Sequence, residues 1–163
     1  MMISSSRNTR RSGFTLIELL MALVVLGLLA AIAIPGIARV RDSAALRSGR
    51  QQFVAALGAA RSAAVQKGKT STLTLTGSSV AVAVLSGAAD TPVTVLNAID
   101  LSSQFNMTVT PVGTTPGTLS YNARGLVTPT PSATLVYRLQ VNAARDSVCV
   151  SAAGVIMPRG CTL

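Results

Sequence analysis

The chain has 163 residues, a formal charge of +9 and no histidine; 49% of its residues are hydrophobic, yet only 3% are aromatic. That length suits one domain with an appended segment, because single cores commonly take up roughly 100–150 residues. The residues hold no paired carboxylates at useful spacing, no glycine-rich phosphate loop and no serine or cysteine beside a basic partner, so they argue against an enzyme and offer no metal or cofactor set.

Taken in chain order, Arg7, Arg10 and Arg11 come first, and basic residues ahead of an apolar run hold an N-terminus in the cytoplasm. From Phe14 to Ile34 the sequence is apolar except for Thr15 and Glu18. This run is close to the roughly 20 residues that a membrane helix needs. Glu18 is out of place in it, since a carboxylate at the centre of such a helix costs about 2.5–3.5 kcal/mol. The acid therefore calls for a partner outside this chain. Pro35 and Gly36 predict a kink or a loosened stretch rather than a necessary stop.

Residues 37–69 read again as helix, rich in Ala, Leu, Arg and Gln. At about 100° per residue, Leu46, Phe53, Leu57 and Ala60 fall on one stripe, with Arg39, Arg47, Arg50 and Arg61 on an adjacent one. Arg39, Arg41, Arg47, Arg50, Arg61, Lys67 and Lys69 face only Asp42 in this segment, so the basicity belongs to the N-terminal third. Gly49 and Gly58 weaken the helix by about 1 kcal/mol each relative to Ala. A continuous helix from Phe14 to Gln66 is about 80 Å long. A small domain cannot bury that length, so its N-terminal half belongs in membrane or among other subunits.

From Thr70 the period changes to two. "TSTLTLTGSSVAVAVL" predicts a hairpin turning at Gly77, Ser78 and Ser79. Further strands are predicted at 92–96, 105–110, 118–122, 134–141 and 147–151, separated by Pro and Gly. The expected fold class is α+β, a long N-terminal helix packed on a small antiparallel β domain at 70–163. Cys149 and Cys161 are the two cysteines. In an exported chain they read as a disulfide rather than a metal site, with two unpaired thiols as the alternative.

Three readings compete for residues 1–36. An ordinary secretory signal would be cut near "AAIA" at 30–33, and a plain single-pass anchor would stay whole; both leave Glu18 unexplained. The third rests on "RRSGFTLIELL", which resembles the prepilin cleavage motif of type IV pilins and type II secretion pseudopilins. The resemblance implies a leader at 1–13, cleavage by a prepilin peptidase between Gly13 and Phe14, and methylation of the new amino group. A filament-core helix at 14–36 follows, in which Glu18 meets the positive N-terminus of a neighbouring subunit during assembly. Its implied partners are the prepilin peptidase, other pilin or pseudopilin subunits, an inner-membrane assembly platform and, before assembly, membrane lipid. It also implies a bacterial inner-membrane precursor with a cytoplasmic leader and a periplasmic C-terminal domain, at the cell surface if the filament is a pilus.

"FVAALGAARSAAVQKG" (53–68), "LSYNARGLVTP" (119–129) and "VCVSAAGVIMPRGC" (148–161) are similar to segments of the GspH/FimT group. Some FimT-like pilins capture DNA through a basic Gly-Arg-x-Arg motif in the last hairpin. The corresponding stretch here reads Gly154-Val155-Ile156-Met157, with Arg159 alone basic nearby. A DNA-binding alternative therefore falls on Arg159, Arg47, Arg50 and Arg61, with few aromatics for stacking single strands.

Overall fold

A computed structural model describes residues 14–157 and Cys161, with only the backbone considered at 32–35. Gly13, the leader arginines Arg7, Arg10 and Arg11, and Arg159 lie outside the described residues. The chain divides into two units, residues 1–38 and 39–163. One helix, α1 (Leu16–Lys67), contributes to both and is assigned without interruption through Pro35 and Gly36.

In the first unit, α1 is apolar all round. Every side chain from Phe14 to Ala31 is exposed, among them Leu16, Leu20, Leu23, Val24 and Leu28. A helix that is hydrophobic on every face is suited to a membrane or to the interior of a larger assembly. It is long and apolar enough to cross a bilayer.

In the second unit the helix is one-sided. Leu46, Phe53, Ala56, Leu57, Ala60 and Ala64 are buried, at steps of three, four and seven residues, as the predicted stripe requires. Gly49 has a packing reason that the sequence does not show. A Cβ there would lie 2.7 Å from Met107 Sδ, so the glycine lets the methionine sit directly on the helix backbone. The helix stops at Gly68, whose φ of +63° is left-handed. The amides of Gly68 and Lys69 turn back onto the carbonyls of Val65 and Ala64.

Among the described residues nine strands follow. The first five are β1 (Ser71–Thr76), β2 (Ser79–Ser86), β3 (Thr91–Asp100), β4 (Thr108–Val112) and β5 (Thr118–Tyr121). The remaining four are β6 (Val127–Thr128), β7 (Leu135–Val141), β8 (Ala144–Val150) and β9 (Ile156–Met157). They form a five-stranded sheet in the order β3-β2-β1-β5-β6 and a four-stranded sheet in the order β4-β7-β8-β9. All their pairings are antiparallel. Alternation sorts the residues: Val80, Val82 and Val84 of β2, and Leu135, Tyr137, Leu139 and Val141 of β7, face the core. Phe53 of the helix meets Tyr137 edge-on, with ring centroids 5.3 Å apart, an arrangement that ring quadrupoles favour.

One strand prediction is corrected. Residues 105–107 of the expected strand at 105–110 are not extended, because a short helix, α2 (Leu101–Phe105), intervenes. The Asp100 carboxylate accepts the amides of Ser102 and Ser103, and Asn106, left-handed at φ 50°, closes the other end. This delays β4 to Thr108. The two-residue strands β6 and β9 were not anticipated either.

Two buried phenols differ in a testable way. The Tyr137 hydroxyl donates to the Pro116 carbonyl at 3.1 Å, whereas the Tyr121 hydroxyl has no partner among the described protein groups. Burial pushes the Tyr121 phenol up to about 12, partly countered by the nearby Arg61, and raises Tyr137 as well. Tyr137→Phe is expected to cost about 1 kcal/mol, the usual net value of such a bond, and Tyr121→Phe essentially nothing. Thermal unfolding of the full chain in detergent would read both. Equal losses would overturn the asymmetry.

Candidate functional site

The start of α1 shows what Glu18 does within a single chain. The Thr15 amide and the Thr15 hydroxyl each donate to Glu18 Oε2 at 3.1 Å, and the Glu18 amide donates to Thr15 Oγ1 at 3.3 Å. This is a capping box, in which a Thr and an acid three residues on satisfy each other's backbone donors at a helix start. Its sequence signal is Thr-Leu-Ile-Glu, a Thr with an acid three residues on. Only one carboxylate oxygen is used. Among the described residues Oε1 accepts nothing, so it is free for a donor from another molecule. Phe14 stands just before the cap and is 87% exposed.

The arginines divide into engaged and free. Arg50 forms an ion pair with Asp146 of β8, which ties the helix to the four-stranded sheet. Arg61 donates through Nε to the Gly125 carbonyl at 3.1 Å and through Nη2 to the Ala153 carbonyl at 3.2 Å. It thereby joins the turn between β5 and β6 to the turn between β8 and β9. Arg47 is exposed and has no ion-pair or hydrogen-bond partner among the described residues, and the same holds for Arg39 and Arg41. Of the four arginines considered for DNA, then, two are occupied inside the domain, Arg47 is free, and Arg159 lies outside the described residues.

Sequence reasoning missed a second basic pair. The register sets Arg138 opposite Ser147 and Gln140 opposite Arg145, which places Arg138 and Arg145 on one exposed face of the four-stranded sheet. They border a shallow cleft of about 420 Å³ with Asp146 and Ser147. The signal was two arginines at alternate-facing positions of paired strands, and it needed the register to become visible. Another hollow, about 360 Å³ between β5, β6 and the loop at 129–133, is lined by Leu119, Val127, Pro129 and Leu135 among others and carries no charged side chain. Neither contains a constellation for catalysis, and no cluster of metal-binding side chains occurs among the described residues.

Cys149 and Cys161 are joined as a disulfide, with Cα atoms 6.0 Å apart. Cys149 is buried in β8, so the bond anchors the segment after β9 to the sheet. Opening a loop of this length is expected to cost about 3 kcal/mol in the chain-entropy picture. Reductant should therefore lower the unfolding temperature of the full chain in detergent, and an unchanged transition would remove this role.

Comparison with known families matches residues 50–154 to the family described as Type II transport protein GspH. The chain belongs to the GspH family. Residues 8–34 of this GspH-family chain also match the prokaryotic N-terminal methylation motif, a span that contains Gly13, Phe14 and Glu18. Two crystal structures of the type IV minor pilin FimU from Pseudomonas aeruginosa share its fold. One, with 18% sequence identity and a TM-score of 0.55, covers 69% of this chain and 86% of FimU. The other, with 22% identity and a TM-score of 0.53, covers 68% and 90%. No curated protein matches the chain significantly. The family match includes Arg50, Arg61 and Cys149 but ends before Cys161 and Arg159.

Proposed function

We propose that this GspH-family chain is a structural minor pilin or pseudopilin. It is inserted as an inner-membrane precursor with its leader in the cytoplasm and its β domain in the periplasm. It is then cut between Gly13 and Phe14, N-methylated, and drawn into a filament. The observation that carries this reading is the register of Gly-Phe-Thr-Leu-Ile-Glu at the head of an all-round apolar helix, with Glu18 Oε1 left open. In a bundle of such helices that oxygen can accept the charged amino group of a neighbour's Phe14. A buried carboxylate that is costly alone is tolerable when paired. The role is assembly rather than catalysis, and it needs no cofactor. DNA capture is the weaker reading, because Arg50 and Arg61 are committed to internal contacts.

The test is the mass of the N-terminal peptide from native membranes, with and without the prepilin peptidase. A peptide starting at methylated Phe14, seen only when the peptidase is present, is expected. An intact leader, or a start near Ile34, would replace this reading with a plain anchor or a secreted domain.

A further inference from the structure

The edge strand of a sheet presents a row of main-chain N–H and C=O groups to which a second chain can add a strand. Among the described residues the edges are β3 and β6 of one sheet and β4 and β9 of the other. β3 (Thr91–Asp100) is exposed along most of its length, Val93 to 48% and Val95 to 42%. It carries no charge between Thr91 and Ile99. An uncharged edge with β-branched side chains is ordinarily a place where chains associate strand to strand.

The register determines which main-chain groups look outward. The Leu85 amide donates to the Thr70 carbonyl at 2.9 Å, so Leu85 turns its main chain toward β1 and away from β3. Its partner in β3 is Pro92, which therefore faces the open edge, as does Thr94 opposite Ala83. On β7 the Val136 amide donates to Oγ1 of Thr115, just past the end of β4, so Val136 and Arg138 turn toward β4. Their partners Val112 and Thr110 turn toward β7, which leaves Val109 and Pro111 facing outward. The Val109 amide is accordingly taken by Ser78 Oγ at 3.4 Å. Both long edges thus have a proline at an outward position. Such a proline offers no donor, and its ring stands where a neighbour's carbonyl would sit. β3 carries a further obstacle, since its ten residues oppose the eight of β2 with register shifts on both sides of Val82. Bulges of this kind bend a strand and interrupt its ladder. The short edge β6 has its outward Val127 amide taken by the Ala152 carbonyl at 3.1 Å.

We infer that Pro92 and Pro111, with the bulges in β3, close the β domain against strand addition and keep a second copy of this chain from joining it edge to edge. Contact between copies is then left to side-chain surfaces, α1 among them. The closure acts wherever copies are crowded together, and it does not depend on the filament reading above.

The experiment follows amide hydrogen exchange of the full chain in detergent as its concentration is raised. It compares the unaltered protein with Pro92→Thr and Pro111→Thr, each made separately so that a variant that fails to fold leaves the other to decide. Pro116→Thr, in the loop between β4 and β5, controls for the lost stiffness of a proline. In the unaltered chain the Thr94 amide, facing the open edge, should exchange fast at every concentration. In Pro92→Thr it should become protected as concentration rises, together with the amide introduced at position 92. Association of that variant should tighten by about tenfold, the worth of the one or two hydrogen bonds that a symmetric pairing regains. The amide introduced in Pro111→Thr should likewise become protected. Association through α1 would leave all these amides fast, so exchange separates the two routes. Fast exchange at both edges in the folded variants would overturn the inference. So would protection of Thr94 in the unaltered chain, or equal association of Pro116→Thr, which would trace the effect to lost stability instead of an opened edge.

Discussion

In cells producing the Glu18→Ala chain, the amount in the membrane should match the unaltered protein, while the amount recovered in sheared filaments should fall by about 100-fold or more. The size follows from breaking a buried charge pair, which costs about 3–5 kcal/mol, with each 1.4 kcal/mol worth about tenfold. Glu18 caps α1 in the structure, the proposed pairing with a neighbour would be a second role, and the alanine variant removes both. Its Oε2 caps the helix through Thr15, and its Oε1 is open to a neighbour. Glu18→Gln separates them, because a glutamine completes a capping box as well as a glutamate but carries no charge. If assembly depends on the charge, Glu18→Gln should be lost from filaments as Glu18→Ala is. If only the cap matters, Glu18→Gln should assemble nearly normally, and the pairing argument would fall while the helix argument stood.

The two variants also bear on how cleavage and assembly are coupled. Cleavage after Gly13 would create a charged amino group on Phe14, one residue before the cap. The same step would then supply the donor that an open Oε1 lacks in a single chain. An uncleaved neighbour would offer an amide in its place, which carries no charge and forms the weaker bond.

Much of this arrangement was legible in the sequence because periodicity reports burial directly. The stripe of Leu46, Phe53, Leu57 and Ala60 follows from 3.6 residues per turn, and all four side chains are buried. The strands at β1, β2, β5, β7 and β8 follow from alternation and from glycine punctuation. Short elements escape this method. α2 is a single capped turn whose signal was Asp100 followed by two serines, and β6 and β9 are too short to show a period. The fate of the arginines was illegible for another reason. Arg50 and Arg47 look alike in the sequence, yet Arg50 finds Asp146 at a separation of 96 residues and Arg47 finds no partner among the described residues. Only the packing of helix against sheet separates a structural guanidinium from a free one.

That packing leads to the second large effect, at the point where Arg61 joins two turns. Gly154 and Gly87 share the same left-handed backbone, φ +72°, so replacing either by alanine carries the same conformational penalty, about 1–2 kcal/mol. Their surroundings differ. At Gly87 an added Cβ meets nothing within 4 Å, whereas at Gly154 it would lie 2.1 Å from the Gly125 carbonyl oxygen and 3.2 Å from Arg61 Nε. Gly125 is itself left-handed at φ +74° and its carbonyl accepts from Arg61, so it cannot retreat without breaking that bond. Gly154→Ala should therefore destabilise the full chain by about 1–3 kcal/mol more than Gly87→Ala, the usual cost of overpacking a tight contact. Paired thermal unfolding of the two variants in detergent gives the difference directly. A Gly154→Ala chain no less stable than Gly87→Ala would mean that the two turns are not held together in solution. In that case Arg61, released from both carbonyls, would rejoin Arg47 as a free cation on the helix.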